Sequence, residues 1–260
     1  LEHGYWGPSH NDADIAAMLR TRGAKFEELT EEALIERAID LICDGKVLGW
    51  FQGREEFGAR ALGDRSLLAD PRRADMKDII NLRIKFREKF RPLAPSILEE
   101  RVGEFFELNE PSPFMEKVFQ IRPEKRALIP AVTHVDGSGR LQSVRRSTND
   151  LYWRLIKRFD DRTGVPILLN TSLNENEPIV HTPEQALNCF LRTKMDNIAI
   201  GRCLVHRPPD SVADKGADDP EAGGDCDLLY RARDLFDRRT WAGGGDPSIQ
   251  RRAGRADQLR

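Results

Sequence analysis

No stretch of this chain approaches the roughly 20 consecutive apolar residues that a membrane-spanning helix needs, and no basic-then-apolar leader opens it. Cysteine is scarce. Cys43, Cys189, Cys203 and Cys226 lie far apart and form no Cys-x-x-Cys pair. That argues against a disulfide framework and predicts a reducing, cytoplasmic setting. The five histidines are scattered, and no His/Cys/Asp group has metal-ligand spacing, so no metal site is expected in this chain. Net charge is small as well. A formal value of −2 provides no whole-protein field to draw in nucleic acid, and no membrane partner is expected. Nor is there a Ser/His/Asp set whose order points to a hydrolase. The chain opens on Leu1 rather than Met, and Leu1-Glu-His-Gly-Tyr-Trp-Gly-Pro reads like the interior of a longer protein, so a fragment is expected.

What is present is unevenly spread. Charged residues make up 32% of the chain, at a higher density after residue 208 than before it. Residues 208–260 are rich in Asp, Arg, Gly and Ala with few large apolar side chains. Such a segment cannot bury enough surface to offset its ordering entropy, so a disordered, low-complexity tail is predicted there, with a short helix at 228–236. Residues 1–39 read as an interdomain linker with lead-in helices. A turn and cap at 8–12 precede helical spacing at 15–19, and Thr30 caps a helix over 31–44. Residues 40–207 read as one α/β domain. Strands are predicted at 46–51, 94–98, 114–119, 141–144 (after a turn at 136–139), 164–171 and 197–200, the last of them. Helices are predicted at 76–84, 152–159 and 183–193, the third capped by Thr182 with Pro183 in its first turn. Strands mixed with helices, without strict alternation, imply a mixed sheet with flanking helices.

Four clusters could carry chemistry. In the first, Arg54, Arg60 and Arg65 alternate with Gly53, Gly58 and Gly63. Glycine lets backbone N–H groups approach a ligand, and arginine offers a planar fork for phosphate or carboxylate. The cluster is either a phosphate loop or a solvated turn in which the arginines pair with Glu55, Glu56 and Asp64. In the second, Lys85, Arg87, Lys89 and Arg91 would share one face of an extended segment. Four like charges there repel one another unless an anion or carboxylates compensate; otherwise they are the basic edge strand that discourages aggregation. In the third, the buried strand ending in Leu169-Asn170-Thr171 runs into Ser172 and Asn174. This is where α/β proteins place ligands, although Asn and Ser also make ordinary polar turns. The fourth is His134-Val-Asp136-Gly-Ser-Gly-Arg140. A lone histidine is more often structural than catalytic, and His134 with Asp136 would leave metal coordination incomplete.

Five blocks in order resemble one family: 52–66 (Gln-Gly-Arg-Glu-Glu-Phe-Gly-Ala-Arg-Ala-Leu-Gly-Asp-Arg-Ser), 91–96 (Arg-Pro-Leu-Ala-Pro-Ser), 134–144, 163–180 and Lys194-Met-Asp. From about residue 5 to 206 the chain is similar to the C-terminal domain of the carbamoyltransferases, the group of the nodulation-factor enzymes and antibiotic O-carbamoyltransferases. The resemblance implies a YrdC-like fold, a twisted mixed sheet with flanking helices. It also implies an enzyme domain that binds ATP and carbamoyl phosphate and forms carbamoyl-adenylate. By the same resemblance, a separate N-terminal ATPase-like domain with an iron site passes the carbamoyl group to a hydroxyl, and that domain is absent here. Mg2+ is expected only as the nucleotide's companion.

On this reading Lys85, Arg87 and Arg91 hold phosphates, and Arg54, Arg60 and Arg65 are shared between ATP and carbamoyl phosphate. Ser172 and Asn174 contact ATP. Lys85, Arg87 and His134 are the candidate catalytic residues, with His134 near the carbamoyl group. The chain departs from the family where it carries Ala59 for proline, Asp64 for asparagine and Leu173 for phenylalanine. Asp64 would put a negative charge beside the arginines. Alternatives are an inactive nucleotide- or anion-binding module, a YrdC-like RNA-binding domain, or a stand-alone threonylcarbamoyl-adenylate synthase, which fits blocks 52–66 and 134–144 less well.

Overall fold

The computed structural model describes residues 1–107 and 110–207. The tail predicted at 208–260, with its helix at 228–236, lies outside the described residues. The chain opens with α1 (Asp12–Thr21), β1 (Phe26–Glu28) and α2 (Glu31–Cys43), then β2 (Leu48–Phe51), β3 (Arg65–Ala69) and α3 (Met76–Ile79), which runs on into one π-helical turn, Ile80–Ile84. Next come β4 (Ala94–Leu98), α4 (Val102–Phe105), β5 (Val118–Gln120), α5 (Pro123–Arg126), β6 (Ser138–Arg140) and β7 (Gln142–Val144). α6 (Asp150–Thr163), β8 (Ile167–Ser172), α7 (Pro183–Arg192), β9 (Asn197–Ile200) and β10 (Cys203–His206) complete the described chain.

Eight strands form one sheet in the order β1-β10-β9-β2-β3-β8-β4-β7, and β5 pairs with β6 apart from it. β2 runs parallel to β9 and β4 parallel to β7, while the other neighbours are antiparallel, so the sheet is mixed, as expected. β2, β3 and β4 are buried at every position, which requires cover on both faces. α2 and α6 pack on each other and over β2, β4 and β8, while α1 and α7 pack together against β10, β9 and β2. Trp50, Phe51, Tyr152, Phe159 and Phe190 fill the core between these layers. Residues 1–39 are built into this body: α2 packs on α6, and β1 adds an edge strand on β10. No helix of the described residues is long and apolar enough to cross a membrane.

The predicted caps form. Asn11 accepts from Asp14 N at 2.8 Å, Thr30 from Ala33 N at 3.3 Å, and Thr182 makes a reciprocal capping box with Gln185. Three strand expectations need correction. The strand at 114–119 shrinks to Val118–Gln120, because Met115 is buried in a left-handed turn (φ 55°) that interrupts extension. The turn at 136–139 is shorter, since Ser138 and Gly139 already pair in β6. The strand at 197–200 is not the last, because Gly201 at φ 53° turns the chain back into β10.

Strand directions place the candidate segments. The end of β2 (Phe51) pairs with the start of β3 (Arg65), and Ser66 pairs with Ser172 at the end of β8. Ala94 at the start of β4 faces Asn170 of β8, and Ser96 faces Gln142 at the start of β7. Segments 52–64, 85–93, 134–140 and 172–177 therefore all emerge at one end of the sheet.

Candidate functional site

Lys85 is the centre of this end. It closes the π-helical turn, with its amide donating to Ile80 O, and its side chain is only 2% exposed. The ammonium faces four oxygens: Ser172 O at 2.5 Å, Ser172 Oγ at 3.2 Å, Asn174 O at 2.8 Å and Asn174 Oδ1 at 2.5 Å. Ser172 Oγ in turn donates to Asn174 Oδ1 at 2.7 Å. Three N–H donors are thus shared among four acceptors in a buried place. Burial first, and then the charge of Arg87, pushes the Lys85 ammonium down to about 7. The loop carrying Ser172 and Asn174 is braced by β3, since Leu173 N donates to Arg65 O at 2.8 Å.

The expectation of an extended basic ladder is overturned. Residues 85–92 form turns rather than a strand, and Phe86 sits at φ 44°. The four cations consequently part company. Lys85 turns inward. Arg87 donates from Nε to Asn81 Oδ1 at 2.7 Å, while exposed Lys89 faces Asp78 at 3.7 Å and Arg91 bonds Glu88 at 2.9 Å. Two further guanidiniums join Lys85 and Arg87. Arg140, half-buried in β6, has a buried Nε with no partner, and its pKa is lowered by burial and then by the charges of Arg60 and Arg87. Arg60 is exposed at the end of the glycine-arginine loop. Among the described residues, none of Arg60, Lys85, Arg87 and Arg140 forms an ion pair with a carboxylate. Burial, opposed next by Asp136, keeps His134 below the usual imidazole range, with Arg140 also pressing it down. Its Nδ1 meets Ser138 Oγ at 3.1 Å, and its Nε2 is buried without a partner.

Arg54 and Arg65 do not join the cluster, contrary to the shared cradle expected of them. Arg54 bonds the carbonyls of Gly7 and Trp6, both at 3.1 Å. It reinforces a pairing of the first residues with its own loop: Gly7 N donates to Glu55 O at 2.9 Å, and Glu55 N to Pro8 O at 3.0 Å. Arg65 lies fully buried beneath the loop, its guanidinium 3.7 Å from the centre of the Phe51 ring and bonded to Asp64 O at 3.0 Å. Burial lowers its pKa, opposed by the charges of Glu56, Asp64 and Glu55 in that order.

The loop that carries Arg60 is anchored at nearly every backbone group that follows. Glu56 accepts from the amides of Leu62, Asp64 and Arg65 at 2.8, 2.7 and 3.2 Å. Gln142 Nε2 and Tyr5 OH donate to Leu62 O, and Asn170 Nδ2 donates to Ala61 O. Asp64 accepts from Asn149 at 2.8 Å, and burial, with Glu56 next, holds its carboxyl well above the usual range. Burial raises the Glu56 carboxyl as well, opposed by the amides that point at it.

Two of the grouped residues were not singled out from the sequence. Arg140 was in view, but only as the end of the histidine block. Asn81 left a readable trace, a polar residue among Ile79, Ile80 and Ile84 on the apolar face of a predicted helix. Among the described residues no group of three or more His, Cys, Asp or Glu could hold a metal ion.

Comparison with known proteins identifies the family. The family model described as Carbamoyltransferase C-terminus matches residues 39–207. Nodulation protein NolNO of Sinorhizobium fredii is 48% identical over 219 residues, covering 82% of this chain and 32% of that protein. Nodulation protein NolO of Bradyrhizobium diazoefficiens is 46% identical over 218 residues, covering 82% of this chain and 40% of that one. The chain thus spans well under half the length of these relatives. Among solved structures, full-length HypF in its phosphate- and nucleotide-bound form aligns over 60% of this chain and 19% of its own, at 16% identity and a TM-score of 0.42. On the family match and the level of identity to the nodulation proteins, the chain belongs to the carbamoyltransferase C-terminus family.

Proposed function

We propose that this domain binds MgATP and carbamoyl phosphate side by side and forms carbamoyl-adenylate for transfer to a hydroxyl by the rest of a longer carbamoyltransferase. The observation that carries the reading is that Lys85, held on Ser172 and Asn174, stands near Arg87, which with Arg60 stands near Arg140, and that none of the four is paired with a carboxylate among the described residues. Four cations left without carboxylate partners suit a polyanion. Water attacks carbamoyl phosphate and releases inorganic phosphate. An oxygen of the resulting carbamate then attacks the α-phosphorus of ATP, and pyrophosphate leaves. Negative charge builds on the α-phosphoryl oxygens as that phosphorus becomes five-coordinate, and cations fixed beforehand lower the barrier.

In this scheme Lys85 and Arg87 serve the phosphates, with Arg91 behind Arg87. Arg60 and Arg140 reach the region between the two substrates. Ser172 and Asn174 contact the nucleotide and orient Lys85. His134, held neutral, is the hydrogen-bonding partner at the carbamoyl end. A ring of cations is unsuited to a bare divalent ion, so magnesium enters as part of the nucleotide. Among the described residues the thiols of Cys43, Cys189 and Cys203 are unpaired, which accords with work in the cytoplasm, where ATP is plentiful. The test is pyrophosphate release from ATP and carbamoyl phosphate. Release is expected to depend on both substrates and to vanish in Lys85→Ala and Arg87→Ala. Folded protein that binds neither substrate would end the proposal.

A further inference from the structure

Asn81 is fully buried, yet its side-chain amide and its carbonyl are committed to the basic loop that follows it. Its Oδ1 accepts from Arg87 Nε at 2.7 Å, and its carbonyl accepts the Arg87 amide at 2.9 Å. Its Nδ2 donates to the carbonyls of Lys89 at 3.3 Å and Arg91 at 3.0 Å. One side chain therefore ties down three positions of a segment with no regular secondary structure. The local backbone is shaped for this. Asn81 lies in the π-helical turn, a rare form that recurs at functional sites, and Phe86 adopts φ 44°, a conformation costly for a bulky residue. With Nε engaged, the two terminal nitrogens of Arg87 make no hydrogen bond among the described residues.

We infer that Asn81 is a positioning residue: it holds the Arg87 fork ready for bidentate contact with a phosphate oxygen pair, acting through Arg87 without touching the substrate. This rests on the reading of the site as a phosphate site. The residue type is the one the geometry asks for. Alanine would lose every side-chain contact. Aspartate would keep an acceptor for Arg87 Nε, but it would repel two carbonyls and pair with the guanidinium it should present.

The test uses the full chain labelled with 15N-arginine and inorganic tripolyphosphate as the probe. The Arg87 Nε–H resonance, assigned by its loss in Arg87→Lys, should be protected from exchange in the wild type and lose that protection in Asn81→Ala. Tripolyphosphate binding by calorimetry should weaken about tenfold in Asn81→Ala, the loss of one charge-assisted hydrogen bond. In an Arg87→Lys background the same change should cost less than about twofold. Should Asn81→Ala fail to fold, Asn81→Asp should retain the protected Nε–H while binding at least about tenfold more weakly. Free exchange of Nε–H in the wild type, or equal loss of binding in both backgrounds, overturns the inference. If the wild type binds neither tripolyphosphate nor MgATP, the phosphate-site reading fails, and with it the role in presenting Arg87 to phosphate, whatever the exchange data show.

Discussion

Lys85 holds an ammonium where water is excluded and another cation stands nearby. With its pKa near 7, it is charged below neutrality and largely uncharged above it. Affinity for MgATP should therefore fall as pH rises from about 6 to about 9, and Lys85→Arg, charged throughout, should flatten that profile in calorimetry. The same residue affects stability. Between about 7 and the ordinary 10.5 the unfolded chain holds a proton that the folded one does not, so this group makes stability rise with pH across that window. Asp64 works the opposite way. Its carboxyl is held above the usual range by burial, so the unfolded chain ionises first and stability is lost as pH rises above 3.8. Asp64→Asn should raise the melting temperature at about pH 8 and do so less at about pH 4, as scanning calorimetry would show. At this scale the sequence pointed to Lys85, Arg87, Ser172 and Asn174 as candidates, because charge and amide chemistry are visible in the letters, and the fold brings Lys85 onto Ser172 and Asn174. It could not show that Arg54 would serve the first residues or that Arg65 would be sealed beneath the loop. Both outcomes depend on partners distant along the chain.

Elements with their own local code were the legible ones. α7 follows from Thr182, Pro183 and Gln185, and β4 from a short apolar run that begins after a proline. The segment after α3 was not legible, because alternating charges resemble a strand until one of them is drawn into the core. β10 was missed because a four-residue strand behind a tight turn carries no periodicity to detect. α6 shows how a cap can serve two ends. Asn149 accepts from Tyr152 N at 3.0 Å and donates to Asp64 at 2.8 Å. Asn149→Ala should lower the urea-derived stability by about 1–3 kcal/mol, a lost cap plus a buried oxygen left without its donor. Asn149→Asp should keep the cap yet be worse at neutral than at acid pH, since it sets a second carboxyl against Asp64.

For the molecule as a whole, the mixed sheet and its helical cover were foreseeable from composition and punctuation, but the strand order was not. β2 lies between β3, close in sequence, and β9, roughly 150 residues onward, a pairing that no local window contains. Net charge, similarly, conceals the cationic end that this order assembles among the described residues. A ligand held there stabilises the entire cooperative unit. MgATP at about a hundred times its dissociation constant should add about 2.7 kcal/mol and raise the melting temperature by roughly 5–10 °C. Adenosine, lacking phosphates, should shift it far less. Added salt should erode the nucleotide's effect, because partly exposed charges such as Arg60 are screened.

The pairing of Gly7 and Pro8 with Glu55, clasped by Arg54, has a mechanical corollary. Tension applied to the first few residues reaches the Arg60 loop before it reaches the sheet. An optical-tweezer handle at that terminus would therefore pull first on the glycine-arginine loop and only afterwards on the scaffold beneath it.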